Sequence, residues 1–278
     1  MKRRTRQRGL RLAGALAATV AFCIPIYIAF VNAFKTTYQI FYNPLALPWP
    51  PTLDNIVTAF QRSDHLVQGG LTNSVIVTGA TLILVIPLGS LTSLWVFRLP
   101  PKPKSILLGF FAFGLMVPPQ VGLQPTIRLL QALGLHLTYP GLILVNVGGG
   151  YLAFAVFVYV GFLRTVSQDV IEAARVDGAG EWRIWWSVVM PLIRPATVTV
   201  GIFVGLWTWN DFLSPLLILG PLKGQTITVG MYLSMSTYST DYGQMFGIML
   251  LAAVIPVAGY LISQREFIYG LMSGASKG

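Results

Sequence analysis

The chain has 278 residues, of which 54% are hydrophobic and only 10% charged, whereas a water-soluble domain carries roughly 25% charged residues; this excludes a soluble globular fold. The formal net charge of +10 sits between long apolar blocks, a distribution that points to orientation in a bilayer and away from a nucleic-acid surface. One cysteine, Cys23, excludes an internal disulfide, and His65 and His136, with no cysteine beside them, offer no metal-ligand cluster.

The chain opens on Lys2, Arg3, Arg4, Arg6, Arg8 and Arg11, followed by an apolar run from Leu12 to Phe34. That run is about twice the 7–15 residues of a secretory apolar region, so a retained first helix is expected. An apolar block of about twenty residues crosses a hydrocarbon core of about 30 Å as a helix. Six spans are predicted, at about 12–34, 71–97, 105–123, 140–163, 195–219 and 243–263. With the N-terminus in the cytoplasm, segments 1–11, 98–104, 164–194 and 264–278 hold fifteen of the nineteen Lys and Arg residues, leaving Lys35, Arg62, Arg128 and Lys223 outside. A miscounted helix would invert every later loop and scatter this charge, so the bias supports both the number of spans and two cytoplasmic termini. Residues 1–278 therefore read as a single all-α transmembrane domain without internal repeat.

Pro25, Pro87, Pro118, Pro119, the run Gly148-Gly149-Gly150 and Pro256 all fall within predicted spans. An interior proline costs a soluble helix about 3 kcal/mol, but membrane helices carry it where neighbours or water satisfy the freed carbonyl. Bent helices around a path are expected. The first external loop, 35–70, is rich in Pro, Asn and Trp and reads as ordered interfacial structure. The stretch Gly148 to Ala153 matches GxGxxA but opens no βαβ unit, and GxxxxGK[ST] is absent, so nothing in the chain itself binds a nucleotide. No nucleophile, base and orienting group converge in the sequence, and no catalytic residue, cofactor site or metal site is proposed.

The longest cytoplasmic loop, 164–194, is the most informative segment. Ser167 or Asp169 can cap a helix, with Glu172 three residues beyond Asp169 giving a capping-box-like start. The helix should run through Glu172, Ala173, Ala174 and Arg175 and break near Gly178. Trp182, Trp185 and Trp186 then recur at near-helical spacing, as expected of a segment lying at the membrane interface. Glu172-Ala173-Ala174, three residues, Gly178, nine residues, then Val188-Val189-Met190-Pro191 resembles the EAA motif of permease subunits in binding-protein-dependent ABC importers. Val and Met stand where Ile and Leu are usual, and Ser167-Gln168-Asp169 replaces the usual Ile-Pro-Lys. The likeness runs from about residue 70 to the C-terminus. Asn73-Ser74-Val75, Met116-Val117-Pro118-Pro119-Gln120, Thr138-Tyr139-Pro140-Gly141, Trp209-Asn210-Asp211-Phe212 and Gln264-Arg265-Glu266-Phe267 are similar to the maltose-permease type of carbohydrate importer.

That resemblance implies a type I ABC importer permease fold in the bacterial cytoplasmic (inner) membrane, surrounded by lipid. It also implies a second permease subunit forming a heterodimer, two ATPase subunits or domains carrying ATP and Mg, an extracytoplasmic solute-binding protein, and a carbohydrate substrate. Glu172, Ala173, Ala174, Arg175, Asp177, Gly178 and Ala179 are then the ATPase-coupling residues: the small ones permit close approach, the charged ones make contacts, and Gly178 takes the turn. Asp at membrane depth costs about 2.5–3.5 kcal/mol, so Asp211 should face a cavity, a partner or the interface. With Trp207 and Asn210 beside it, and Asn73, Gln120 and Asn146 on other spans, it forms the candidate translocation path. Rings suit the apolar face of a sugar and amides suit its hydroxyls. The same polar residues also suit a plain role in tying helices together. Thr226, Thr228 and Tyr238 in the polar and aromatic loop 220–242 are the candidate contacts for the binding protein. A secondary transporter driven by an ion gradient would need further buried ionisable groups along the spans, and only Asp211 qualifies.

Overall fold

The computed structural model describes residues 2–220, 225–235 and 241–275, with side chains described over 11–167, 169–220, 225–235 and 241–265. Every regular element among them is helical. In chain order these are α1 (Lys2–Asn32), α2 (Thr37–Tyr42), α3 (Asp54–Phe60), α4 (Leu66–Arg98), α5 (Pro101–Met116), α6 (Leu123–Ala132) and α7 (Tyr139–Asn146). A π-helical turn (Val147–Tyr151) leads into α8 (Leu152–Leu163), followed by α9 (Gln168–Val176) and α10 (Glu181–Ile184). A second π-turn (Trp185–Val189) precedes α11 (Met190–Leu192), α12 (Arg194–Asn210), α13 (Leu213–Ile218), α14 (Ile227–Leu233) and α15 (Tyr242–Ala275). Backbone contacts divide the chain into two compact units, residues 1–68 with 230–254, and residues 69–229 with 255–278.

Four described helices are long and apolar enough to cross a membrane: Arg11–Asn32, Leu66–Arg98, Tyr139–Leu163 and Tyr242–Arg265. Glu181–Leu192 and Arg194–Asn210, bent by 79° at Ile193, make a fifth if taken together. Two of the predicted spans are therefore shorter as helices than the hydropathy blocks suggested. The block 105–123 is helical only to Met116, because Val117 is held extended (ψ 118°) ahead of Pro118, whose ring disfavours the helical region for the residue before it. The block 195–219 breaks at Asp211, which is extended at ψ 129°. By contrast Pro25, Pro87 and Pro256 lie inside continuous helices.

In the unit of residues 1–68 and 230–254, buried polar side chains organise the loop after α1. Lys35, buried, donates to the carbonyls of Asn43 and Pro44 (2.8 and 3.0 Å), and burial pushes its pKa down. Asn55 donates to the carbonyls of Lys35 and Ala33 (2.6 and 3.1 Å). Thr36 and Gln39 form a reciprocal capping box at the start of α2. Asp64, hydrogen-bonded and paired with Arg62 at 2.6 Å and held below the usual carboxylate range by it, accepts from the Leu66 N–H at the start of α4. The loop is thus ordered structure, as its composition suggested.

The unit of residues 69–229 and 255–278 holds the main core: Val85 and Leu94 of α4, Tyr159 and Leu163 of α8, Ile184, Trp185 and Val189 after the loop, and Val200 and Val204 of α12. α4 and α8 meet at small residues, where a Cβ on Gly89 would lie 2.6 Å from the Ala155 Cβ. The close approach lets Ser93 Oγ reach the Val156 carbonyl at 3.3 Å. Gly89→Val is expected to lower stability by about 1–3 kcal/mol through overpacking, read as a lower thermal midpoint in detergent, with Ala155→Gly restoring part of the loss.

Candidate functional site

α9 is a nine-residue amphipathic helix whose ends are set by local chemistry. Ser167, not Asp169, is the cap: its Oγ accepts from the Asp169 N–H at 3.2 Å, leaving Asp169 in the first turn. The helix stops at Asp177, and Gly178 follows at φ +78°, a left-handed turn that a Cβ would strain. The break falls where the sequence placed it. Ile171 and Ala174 pack inward, while Val170, Glu172, Ala173, Arg175, Asp177 and Gly178 are exposed, as is Val176 at 88%; Ala179 is half-buried. Among the three tryptophans that follow, Trp182 and Trp186 are exposed, but Trp185 is buried in the core and donates from Nε1 to Ser90 Oγ of α4 at 3.0 Å. The segment is therefore anchored to a span, which regular Trp spacing alone did not reveal.

Three ionic residues join the same parts. Glu181 accepts from Arg175 through Nε (3.0 Å) and Nη2 (2.9 Å) and from Arg98 Nη1, which closes α4. The Arg98 and Arg175 guanidiniums hold the Glu181 carboxyl below its usual range. Such exposed pairs each contribute about 0–1 kcal/mol, so the apolar core, not this bridge, holds the fold. Arg98 and Glu181 lie 83 residues apart, and spacing in the chain carried no signal of their pairing.

Five of the six path candidates line one cavity of about 990 Å³: Gln120, Asn146, Trp207, Asn210 and Asp211. Asn73 is elsewhere, accepting from the Tyr139 hydroxyl at 2.6 Å and donating to the Gln225 carbonyl at 2.9 Å. The cavity gathers the helix breaks of three predicted spans: Val117 to Gln120, Gly148 to Tyr151, and Asn210 to Ser214. Inside a bilayer, non-helical backbone is tolerated where it is buried in protein or lines a water-filled space. Gly149 (ψ 21°) and Gly150 (φ 124°) leave helical geometry there. Trp207 stacks on Tyr151 (ring centroids 5.9 Å apart) and meets Phe154 edge-on (4.7 Å). Asn210 donates to the Leu206 carbonyl and Asp211 accepts from the Ser214 N–H. Asn146, buried, donates to Thr81 Oγ1 at 3.3 Å. Thr226 is buried and Thr228 donates to the Trp209 carbonyl at 2.9 Å, while Tyr238 lies outside the described residues.

An all-helical chain whose broken apolar helices surround a mainly apolar cavity, with a few polar side chains in its wall, has the architecture expected of a transport permease. The family model of the binding-protein-dependent transport system inner membrane component matches residues 85–265, and the chain belongs to that family. It is a multi-pass component of the inner membrane and a transport subunit, not an enzyme. The chain is 32% identical, over 92% of its length and 84% of the relative's, to the diacetylchitobiose uptake system permease protein of Streptomyces coelicolor. It is 30% identical, over 99% and 100%, to the melibiose/raffinose/stachyose import permease protein of Bacillus subtilis. In fold it is similar to a chain of a bacterial ABC transporter involved in the import of the acidic polysaccharide alginate, with a TM-score of 0.76, 18% identity, and coverage of 94% and 96%.

Trp185→Phe keeps an aromatic ring but removes both the N–H and the pyrrole half of the indole from the core. It is expected to cost about 1 kcal/mol for the hydrogen bond and about 1–3 kcal/mol more for the space left, measured by thermal unfolding in detergent, and to be non-additive with Ser90→Ala by the hydrogen-bond part, because both substitutions delete the same bond.

Proposed function

We propose that the chain is one of two permease subunits of an ATP-driven importer for a sugar or related carbohydrate. It crosses the membrane six times with both termini in the cytoplasm, as one domain over residues 1–278. α5 and α12, at 16 and 17 residues, are each about 25 Å long at about 1.5 Å per residue. The extended residues that follow them complete the crossing at the cavity wall. The charge distribution of the loops supports this direction of insertion.

The observation that carries the coupling is the exposed face of α9. Val176 and Val170 (88% and 46% exposed) stand beside Ala173 and Glu172 on a short, well-capped helix that has no packing reason to show them to water. A groove on a separate ATPase, which holds ATP and Mg, would cover them, with Glu172, Ala173, Ala174, Arg175, Asp177, Gly178 and Ala179 as the contact set. Closing of the ATPase pair then tilts α9 as a rigid body and opens the path outward. No cofactor on this chain is needed for that work.

The cavity is the path, with Gln120, Asn146, Trp207, Asn210 and Asp211 in its wall and Asn73 as a tie between helices. Indole and phenol rings beside amides suit a sugar, and two relatives are named for diacetylchitobiose and for melibiose, raffinose and stachyose. An external binding protein delivers the substrate to loop 220–242, the segment of Thr226, Thr228 and Tyr238.

Glu172→Lys and Gly178→Leu are each expected to lower uptake at least about tenfold, equivalent to about 1.4 kcal/mol, and to weaken copurification of the ATPase while the spans stay inserted. Uptake of labelled oligosaccharides by cells carrying each variant, with a pull-down of the ATPase, is the test; normal uptake by both variants contradicts the assignment.

A further inference from the structure

We infer that Glu181 is a positioning residue that locks α9 to the end of α4 across a glycine turn, so that α9 and the span Leu66–Arg98 move as one body. This rests on α9 being the ATPase-facing lever. The turn between α9 and α10 contains Gly178 at φ +78° and Gly180, and here the chain leaves α9 and changes direction before α10. Arg175 lies just before the turn and Glu181 just after it, and two N–H groups of the Arg175 guanidinium meet one carboxylate oxygen. The other carboxylate oxygen takes Arg98 Nη1. A single carboxylate therefore closes the turn on one side and pins it to α4 on the other.

The attachment to α4 is not a lone surface pair. Ser90, Leu94 and Arg98 recur every fourth residue and so share one face of α4. Ser90 takes the Trp185 N–H, Leu94 is buried in the same core as Ile184 and Trp185, and Arg98 takes Glu181. Along two turns of one helix face, the segment after the glycine turn is held by a hydrogen bond, an apolar contact and an ion pair. α9 itself reaches the core only through Ile171 and Ala174. Beyond these two core contacts and the turn's own backbone bonds, the Arg175–Glu181 side of the bridge is the side-chain contact that ties α9 to the post-turn segment. The exposed position of the ions makes them dispensable for folding and suited to transmitting an angle.

The test uses the complete complex, copurified with its ATPase and reconstituted in lipid, in a Cys23→Ser background. Spin labels replace Asp169, an exposed residue in the first turn of α9, and Ile83, an exposed residue of α4. Distances are measured without nucleotide and with MgATP and vanadate. In the otherwise unaltered chain one narrow distribution is expected, the same in both states. With Glu181→Ala the distribution becomes about twofold broader, as for a helix released to pivot as a separate body, and its mean differs between the states; Glu181→Asp recovers part of the narrowing. A Glu181→Ala distribution identical to that of the unaltered chain in both states overturns the inference, as does a shift between states in the unaltered chain. If Glu181→Ala does not assemble, Arg175→Met severs the turn-closing side alone and must give the same broadening. If the unaltered chain retains no ATPase, the lever reading itself falls, and this inference with it.

Discussion

The packing of the post-turn segment against α4, α8 and α12 is the constraint on which the rest depends. Ile184, Trp185, Val189 and Ile193 are all essentially inaccessible to water and belong to one cluster with Val85, Leu94, Tyr159, Leu163, Val200 and Val204. Interiors of this kind are close-packed and deform little. A push on the loop cannot be absorbed locally and is passed to three long helices at once. Tyr159 extends the junction by donating to Thr197 Oγ1 of α12 at 3.3 Å. Small residues set the depth of the contact: Gly89 against Ala155 brings α4 and α8 together closely enough that no larger side chain fits.

The cavity follows from a second constraint, the intolerance of a bilayer for unpaired backbone groups. Pro118 and Pro119 end α5, the triple glycine opens the helix at Val147–Tyr151, and Asp211 ends α12. These breaks converge on the same space, each relieved by facing it. Broken spans and the few polar side chains in a mainly apolar wall are two aspects of one arrangement. Asn210 and Asp211 each make a local bond to their own or the next helix, which fixes their side chains at the wall.

Much of this was legible in the sequence. Helicity, the apolar blocks and the break of α9 near Gly178 follow from hydropathy, capping chemistry and proline sterics, all of which act over a few residues; that Gln120, Asn146, Trp207, Asn210 and Asp211 share one cavity rests on tertiary packing. What was not legible is long-range. The inward turn of Trp185 depends on Ser90, the role of Glu181 depends on Arg98, and the burial of Thr226 depends on the packing around it. Hydropathy also overran the helix at Met116, because it averages across Pro118 and Pro119, whereas the backbone responds to the residue just before the first ring. Asn73 looked like the other polar residues on the spans but is committed to Tyr139 and Gln225, a distinction that only tertiary contacts make.

Whether the exposed apolar edge of α9 is seated in a nucleotide-hydrolysing partner is tested most directly by contact. With Cys23, the one cysteine and an exposed one, replaced by serine, a photo-crosslinking residue is placed at Val176 and, separately, at the exposed lipid-side candidate Ile106 of α5. Illumination of intact membranes followed by identification of the adduct should join the Val176 probe to an ATPase polypeptide and leave the Ile106 probe without that product. An adduct between Val176 and an extracytoplasmic protein, or the absence of any polypeptide adduct from an assembled and active transporter, would contradict the central claim.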